Sequence, residues 1–190
     1  MGNLYEVSTN GTITTSGNIE TSGSFIGERT PSSGEIVQMQ VLNDTGNYSQ
    51  TSDTPAEITT NWRLAFTPKY SDSKILLKAS FSANTSAGQV YAFKFYDVTN
   101  ATDIGVGPAF GNRRQTGRAI RGPNLDGNDA TIIDVEAITD ANTTTARTYT
   151  LYGQRENTGS GTIYFNYSSG DSSAFGWSTP FTLTITEIKQ

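Results

Sequence analysis

The chain has 190 residues, with 13 Lys and Arg against 18 Asp and Glu, a net charge of −5, and no His or Cys. Without His or Cys there can be no Ser-His-Asp triad, no thiolate nucleophile, no Cys/His zinc site and no disulfide. The acidic balance argues against a general nucleic-acid binder, which would carry a basic footprint.

The length fits one ordinary domain with an appendage. Charged residues make up 16% of the chain, against roughly 25% in typical soluble proteins. Ser and Thr supply about a quarter of the residues and Gly adds 19. Such polarity can mean disorder, but 11% aromatic residues give the chain groups to bury. A β-rich, hydroxyl-coated extracellular or viral protein is expected. No stretch approaches the roughly 20 apolar residues of a membrane helix, so no membrane insertion is expected. Met1 to Glu6 has neither a basic n-region nor an apolar h-region, so no secretory signal is expected.

The front of the chain repeats every six residues. Val7-Ser-Thr-Asn-Gly-Thr12 is followed by Ile13-Thr-Thr-Ser-Gly-Asn18, then Ile19-Glu-Thr-Ser-Gly-Ser24, then Phe25. Six is not a helical period. Each hexad reads as a short extended piece closed by a Ser/Asn-Gly turn. One apolar residue per hexad builds no core within one chain, so such repeats need stacking or copies of themselves. Three chains about an axis would join the rows of Val7, Ile13, Ile19 and Phe25 as a thin shaft core. A flexible Ser/Thr/Gly linker is the alternative. Glu28 to Gly34 reads as the joint, giving residues 1–33 as attachment segment and shaft and residues 34–190 as a head. No large attachment domain is expected before residue 7; Met1 to Glu6 or another protein would supply the anchor.

The head reads as strands and turns. Period-2 alternation places Ile75, Leu77, Ala79 and Phe81 on one face of Lys74 to Ala83, with Leu76 breaking the pattern. Gln89 to Val98 pairs Tyr91, Phe93 and Phe95; Thr148 to Gly153 pairs Tyr149 and Leu151. Thr162 to Tyr167 groups Ile163, Phe165 and Tyr167. Thr179 to Lys189 puts Phe181, Leu183 and Ile185 inward and Thr182, Thr184 and Thr186 outward. Weaker strands are expected at Glu35–Asn43, Trp62–Thr67, Asp103–Phe110, Gln115–Arg121 and Ala130–Ile138. No amphipathic helix is visible. Roughly eight to ten strands spaced by turn signals predict an all-β antiparallel sandwich or barrel, a jelly roll first and an immunoglobulin-like sandwich second.

Several stretches of this head resemble a family of bacteriophage virion proteins of the marine-phage type, structural or tail fibre proteins. They are Gly34-Glu-Ile-Val-Gln-Met-Gln-Val41, Phe66-Thr-Pro-Lys-Tyr-Ser-Asp-Ser-Lys-Ile-Leu-Leu77, Tyr96-Asp-Val, Ile104-Gly-Val-Gly107, Thr148-Tyr149, Gly161-Thr-Ile-Tyr164 and Thr182-Leu-Thr-Ile-Thr-Glu-Ile188. Their order spans most of residues 34 to 188. The resemblance implies a β-sandwich head of the tumour-necrosis-factor or complement type, assembling as a homotrimer. The hexads are similar to repeats that precede heads in phage fibres.

Arg113, Arg114, Arg118 and Arg121 form a basic cluster. It could grip anionic sugars or a neighbouring subunit's carboxylates, or form a solvated face balanced by Asp126, Asp129 and Asp134. Strand alternation would put Arg114 and Arg118 on one face and Arg113 and Arg121 on the other. Tyr164, Tyr167, Phe175 and Trp177 crowd near the C-terminus around a Ser/Gly/Asp stretch. They are candidates for sugar stacking or for the core, and Tyr167 and Trp177 are taken as candidate surface residues. Asp126-Gly-Asn-Asp129 reads as a turn, because it lacks the ligand spacing of a calcium loop. Asp134 and Glu136, two apart on one strand face, meet the spacing of a glycosidase pair only as many strands would. No catalytic residue, metal or cofactor is expected. The expected partners are copies of the chain, other virion proteins and a glycan or protein on a host surface, with the chain on the particle surface. A host-contacting fibre, a capsid decoration protein and, less favoured, a carbohydrate-degrading spike remain open.

Overall fold

A computed structural model describes residues 30–85, 90–121, 131–155, 161–168 and 176–190. The hexad residues Val7, Ile13, Ile19 and Phe25 lie outside them, as do Asp126, Asp129 and Phe175. The compact unit that holds the head runs from Pro31 to Gln190. Its first strands are β1 (Ile36–Asp44), β2 (Tyr48–Gln50) and β3 (Ala56–Glu57). A 3-10 turn (Thr60–Trp62) precedes β4 (Leu64–Phe66), β5 (Lys74–Thr85) and β6 (Val90–Asp97). Then come β7 (Thr102–Ile104), β8 (Arg118–Arg121), β9 (Thr131–Asp140), β10 (Arg147–Arg155), β11 (Ile163–Phe165) and β12 (Phe181–Ile188).

Several of these are halves of one interrupted strand. β1 pairs β12 while β2 pairs β11, and β11 and β12 lie along the same edge of β5. β3 and β4 lie along one edge of β10, and β7 and β8 along one edge of β6. Joining these halves leaves eight strands in two antiparallel sheets. In chain order the first sheet runs first, eighth, third, sixth; the second runs second, seventh, fourth, fifth. First pairs with eighth, second with seventh, third with sixth and fourth with fifth. This is a long hairpin wound on itself, the jelly-roll order.

The alternation that predicted the strands also fills the core. Ile75, Leu77, Ala79 and Phe81 of β5, Tyr91, Phe93 and Phe95 of β6, Tyr149 and Leu151 of β10, and Phe181, Leu183 and Ile185 of β12 are all buried between the sheets. Leu76 breaks the pattern because it points outward, opposite Ile138 of β9. Three expectations are corrected. The strand expected over Asp103–Phe110 ends at Ile104, because Gly105 turns at φ +66, where a Cβ would stand 2.3 Å from Ala137 Cβ. Tyr167 does not share the inward face of Ile163 and Phe165. Asn166 adopts φ +67 and turns the chain out of the strand, so the Tyr167 ring meets Tyr164 edge-on at 5.3 Å. Trp62 sits in the 3-10 turn, ahead of the strand that was expected to begin with it.

Trp62 is fully buried. Its ring stacks on Phe181 at 3.9 Å and meets Phe165 and Tyr48 edge-on. Its indole N–H donates to Asp44 Oδ2 at 2.9 Å, and the Tyr48 hydroxyl and Gly46 N–H donate to the same carboxylate. Another carboxylate, the fully buried Glu187, accepts from the N–H groups of Lys69 and Tyr70 and from Gln38 Nε2. It holds the β4–β5 connection against the sheet. Burial alone would push the Glu187 carboxyl up; these hydrogen bonds outweigh it and hold the group below its usual value.

Two outcomes are expected. Trp62→Phe keeps most of the stacking but strands part of Asp44, at a cost of about 2 kcal/mol. Urea unfolding would measure it, and a loss under about 0.5 kcal/mol, the range of ordinary surface changes, would contradict the Trp62–Asp44 link. Glu187 binds its proton less readily folded than unfolded. Its stability is therefore complete above roughly pH 4.3 and is lost as pH falls through the lower folded value. Glu187→Gln should be less stable than the parent at pH 7 and lose less between about pH 5 and pH 3. Equal losses in parent and variant would contradict this.

Candidate functional site

The first sheet has an inner face in the core and an outer face open to solvent. Register fixes the outer face row by row. Met39 lies beside Thr186, Leu76 and Ile138; Val41 beside Thr184, Lys78 and Glu136; Asn43 beside Thr182, Ser80 and Asp134. Lys74 pairs with Asp140 as an ion pair at the end of the face. Among the described residues, six large apolar side chains are exposed: Ile36, Met39, Val41, Phe110, Ile132 and Ile138. Five of them are on this face. Ile36, Met39 (60% exposed) and Val41 follow the β1 edge; Ile132 and Ile138 (59% exposed) follow the β9 edge. The strip between them carries the Thr hydroxyls of β12 and the lysines of β5. Exposed apolar residues clustered on both edges of one sheet mark it as a contact surface, and unprotected edge strands invite pairing.

The sequence-predicted basic cluster is split. Arg113 and Arg114 lie in the β7–β8 connection, where strand alternation does not apply. The Arg113 guanidinium sits 4.7 Å over the Phe110 ring. Arg114 Nη1 donates to the Arg155 carbonyl at 2.9 Å. Arg118 opens β8 and is exposed; Arg121 closes β8. Asp134, proposed to balance them, lies on the other sheet. Tyr167 and Trp177 are half-buried at the base of the excursion between β11 and β12, where Tyr167 bridges Ser178. The Trp177 N–H donates to Ser168 Oγ and its carbonyl accepts from the Ser168 N–H. Asp134 and Glu136 stand on the open sheet face opposite Ser80 and Lys78. No group of three His, Cys, Asp or Glu residues able to hold a metal occurs among the described residues. No helix among them is long and apolar enough to cross a membrane.

Sequence reasoning missed a cleft on the outer face of the second sheet. Lys94 points outward from β6 yet is only 9% exposed. The β7–β8 connection and the segment around Pro55 cover it. Lys94 Nζ donates to Asp103 Oδ2 at 2.6 Å. Gln154 of β10 is 4% exposed and faces the same space with Asp53, Arg114 and Gln115. The cleft holds about 340 Å³. Tyr152, opposite Lys94 in the ladder, stacks on Tyr96 at 4.2 Å, and neither ring lines this cleft. A buried Lys on an outward strand position leaves no mark in the hydropathy pattern. The apolar β9 edge did leave one: Ile132 and Ile138 take the parity that Asp134 and Glu136 hold.

The sandwich has two distinct ends. The chain enters at one of them, where the Gly34 N–H donates to the Lys189 carbonyl at 2.7 Å. At the other meet the strand ends Thr85 and Ile163, Val90 and Arg121, and Tyr91 and Arg155.

No protein-family model and no curated protein matches the chain. Among solved structures it is similar to chains of infectious bursal disease virus. The structure of the Gt strain gives 12% identity and a TM-score of 0.41, over 90% of this chain and 43% of that one. The Gx strain gives 12% and 0.42, over 90% and 42%. The VP2 subviral particle gives 11% and 0.41, over 89% and 41%. The chain thus spans less than half the length of these structures. Its jelly-roll order is read from its own strand pairing.

Proposed function

We propose that the chain is a non-enzymatic virion structural protein, the head of a trimeric phage fibre that contacts the host cell surface. The outer face of the first sheet carries the assembly part of this reading. Its apolar residues form two different patches, on the β1 and β9 edges. Contact between unlike patches is heterologous, and it closes into a ring when the rotation allows. The β1 edge of one copy then covers the β9 edge of the next. Lys78 beside Glu136, and Lys74 beside Asp140, put both signs on the same face, so neighbouring copies can meet with complementary charge. The hexad rows of Val7, Ile13, Ile19 and Phe25 call for the same partner, a copy of the chain.

The fibre part is supported by the resemblance over residues 34 to 188 and by the polarity of the sandwich. The chain enters one end, and the strand ends that lead into the connections after β5, β8 and β10 lie at the other. Arg113, Arg114, Arg118 and Arg121, with Tyr167 and Trp177, are the side chains we assign to contacts with the host or with other virion proteins. Three heads on one stalk raise weak contacts by avidity.

Gold-antibody labelling of intact particles tests this. Label is expected at the tail, and purified protein should reduce adsorption to host cells. Label spread over the capsid would contradict the fibre reading in favour of shell decoration. Absence of label, with an antibody that binds the native protein, would overturn the virion reading.

A further inference from the structure

We infer that the cleft on the outer face of the second sheet binds a neutral hexopyranose ring of a carbohydrate. The inference gives the proposed host contact a ligand class, and it rests on that reading only for its biological setting. Its volume of about 340 Å³ lies within the roughly 300–1,000 Å³ of small-molecule sites. The lining matches sugar hydroxyls, each of which both donates and accepts. Lys94 Nζ spends one N–H on Asp103 Oδ2 and has two more to give. Asp103 keeps its second oxygen as an acceptor. The Gln154 carboxamide, 4% exposed, has no hydrogen-bond partner among the described residues. Gln115 uses only Nε2, toward the Gly107 carbonyl, so its carbonyl oxygen remains available.

The polar atoms of the Gln154 carboxamide are not shut off from solvent, so the amide faces the cleft and is open to a ligand or to water. Adjacent donors and acceptors, set by the Lys94–Asp103 pair and two carboxamides, suit the neighbouring hydroxyls of a pyranose. The cleft carries two acids, Asp53 and Asp103, and two bases, Lys94 and Arg114. Lys94 is already paired with Asp103, and Arg114 is turned to the Arg155 carbonyl. No excess of positive charge remains for a phosphate or an acidic sugar, which selects a neutral ring.

Saturation-transfer NMR on the full chain tests this, using the methyl glycosides of D-glucose, D-galactose and D-mannose and of sialic acid. At least one neutral glycoside should bind with a Kd of roughly millimolar strength. Gln154→Ala should weaken that binding by about tenfold. Gln115→Ala, at an exposed position, should also weaken it, with thermal unfolding of both variants showing that the fold is retained. No transfer to any neutral glycoside at about 10 mM, well above such a Kd, would overturn the inference. So would binding of the sialoside alone, or neutral binding unchanged in both variants. These outcomes concern the purified chain, so they leave the particle labelling to decide the virion reading separately.

Discussion

The Trp62 indole N–H has to find an acceptor inside a fully buried aromatic cluster, and Asp44 supplies it. Much of the irregularity of the fold follows from that requirement. Asp44 ends β1, and Gly46 turns the chain so that its N–H and the Tyr48 hydroxyl reach the same carboxylate. A Cβ on Gly46 would lie 2.2 Å from the Tyr48 hydroxyl oxygen, so the turn is closed to larger residues. Burial pushes the Asp44 carboxyl up, but its hydrogen bonds hold it below the ordinary value. The neighbouring strand breaks at the same level. Asn166 leaves β11, and its side-chain amide donates to the Gly46 carbonyl. The second sheet breaks there too, between β3 and β4, to insert Trp62 itself. Three interruptions thus serve one buried side chain that joins the two sheets.

With the inside fixed, the two outer faces are free to differ. The first sheet puts apolar residues on both edges and a hydroxyl-rich strip between. The second is overlaid by the β7–β8 connection, which buries Lys94 and leaves a polar cleft. The first face has the character of a protein contact and the second that of a small-ligand site. Gly105 links the two sheets at the point where that connection begins, because only a glycine fits against Ala137 with φ +66.

The long strands were legible because period-2 alternation and the sandwich interior impose the same pattern. Tyr91, Phe93 and Phe95 of β6 and Phe181, Leu183 and Ile185 of β12 were placed correctly for that reason. The short strands β2 and β3 were not, since two or three residues carry no measurable period. Glu187 was hidden because alternation assigns it inward with nothing in the sequence to supply its partners. Those come from Lys69 and Tyr70, more than 100 residues earlier. The Lys94 cleft was invisible for a related reason. Its burial is due to a connection that folds over the sheet, a tertiary event that local pattern does not encode. Arg114 was singled out as part of a charge cluster, whereas its place in the fold is set by the Arg155 carbonyl.

The central claim is that the outer face of the first sheet closes onto copies of the chain. Because the chain has no Cys, single cysteines can report on that face. Met39→Cys and Ile138→Cys would be compared with Ser71→Cys in the exposed β4–β5 turn, by maleimide reaction with the native full-length protein. The account predicts labelling at 39 and 138 slower than at 71 by about tenfold or more, under conditions where the native mass is three times the 20.4 kDa chain. Equal rates at all three positions would contradict it.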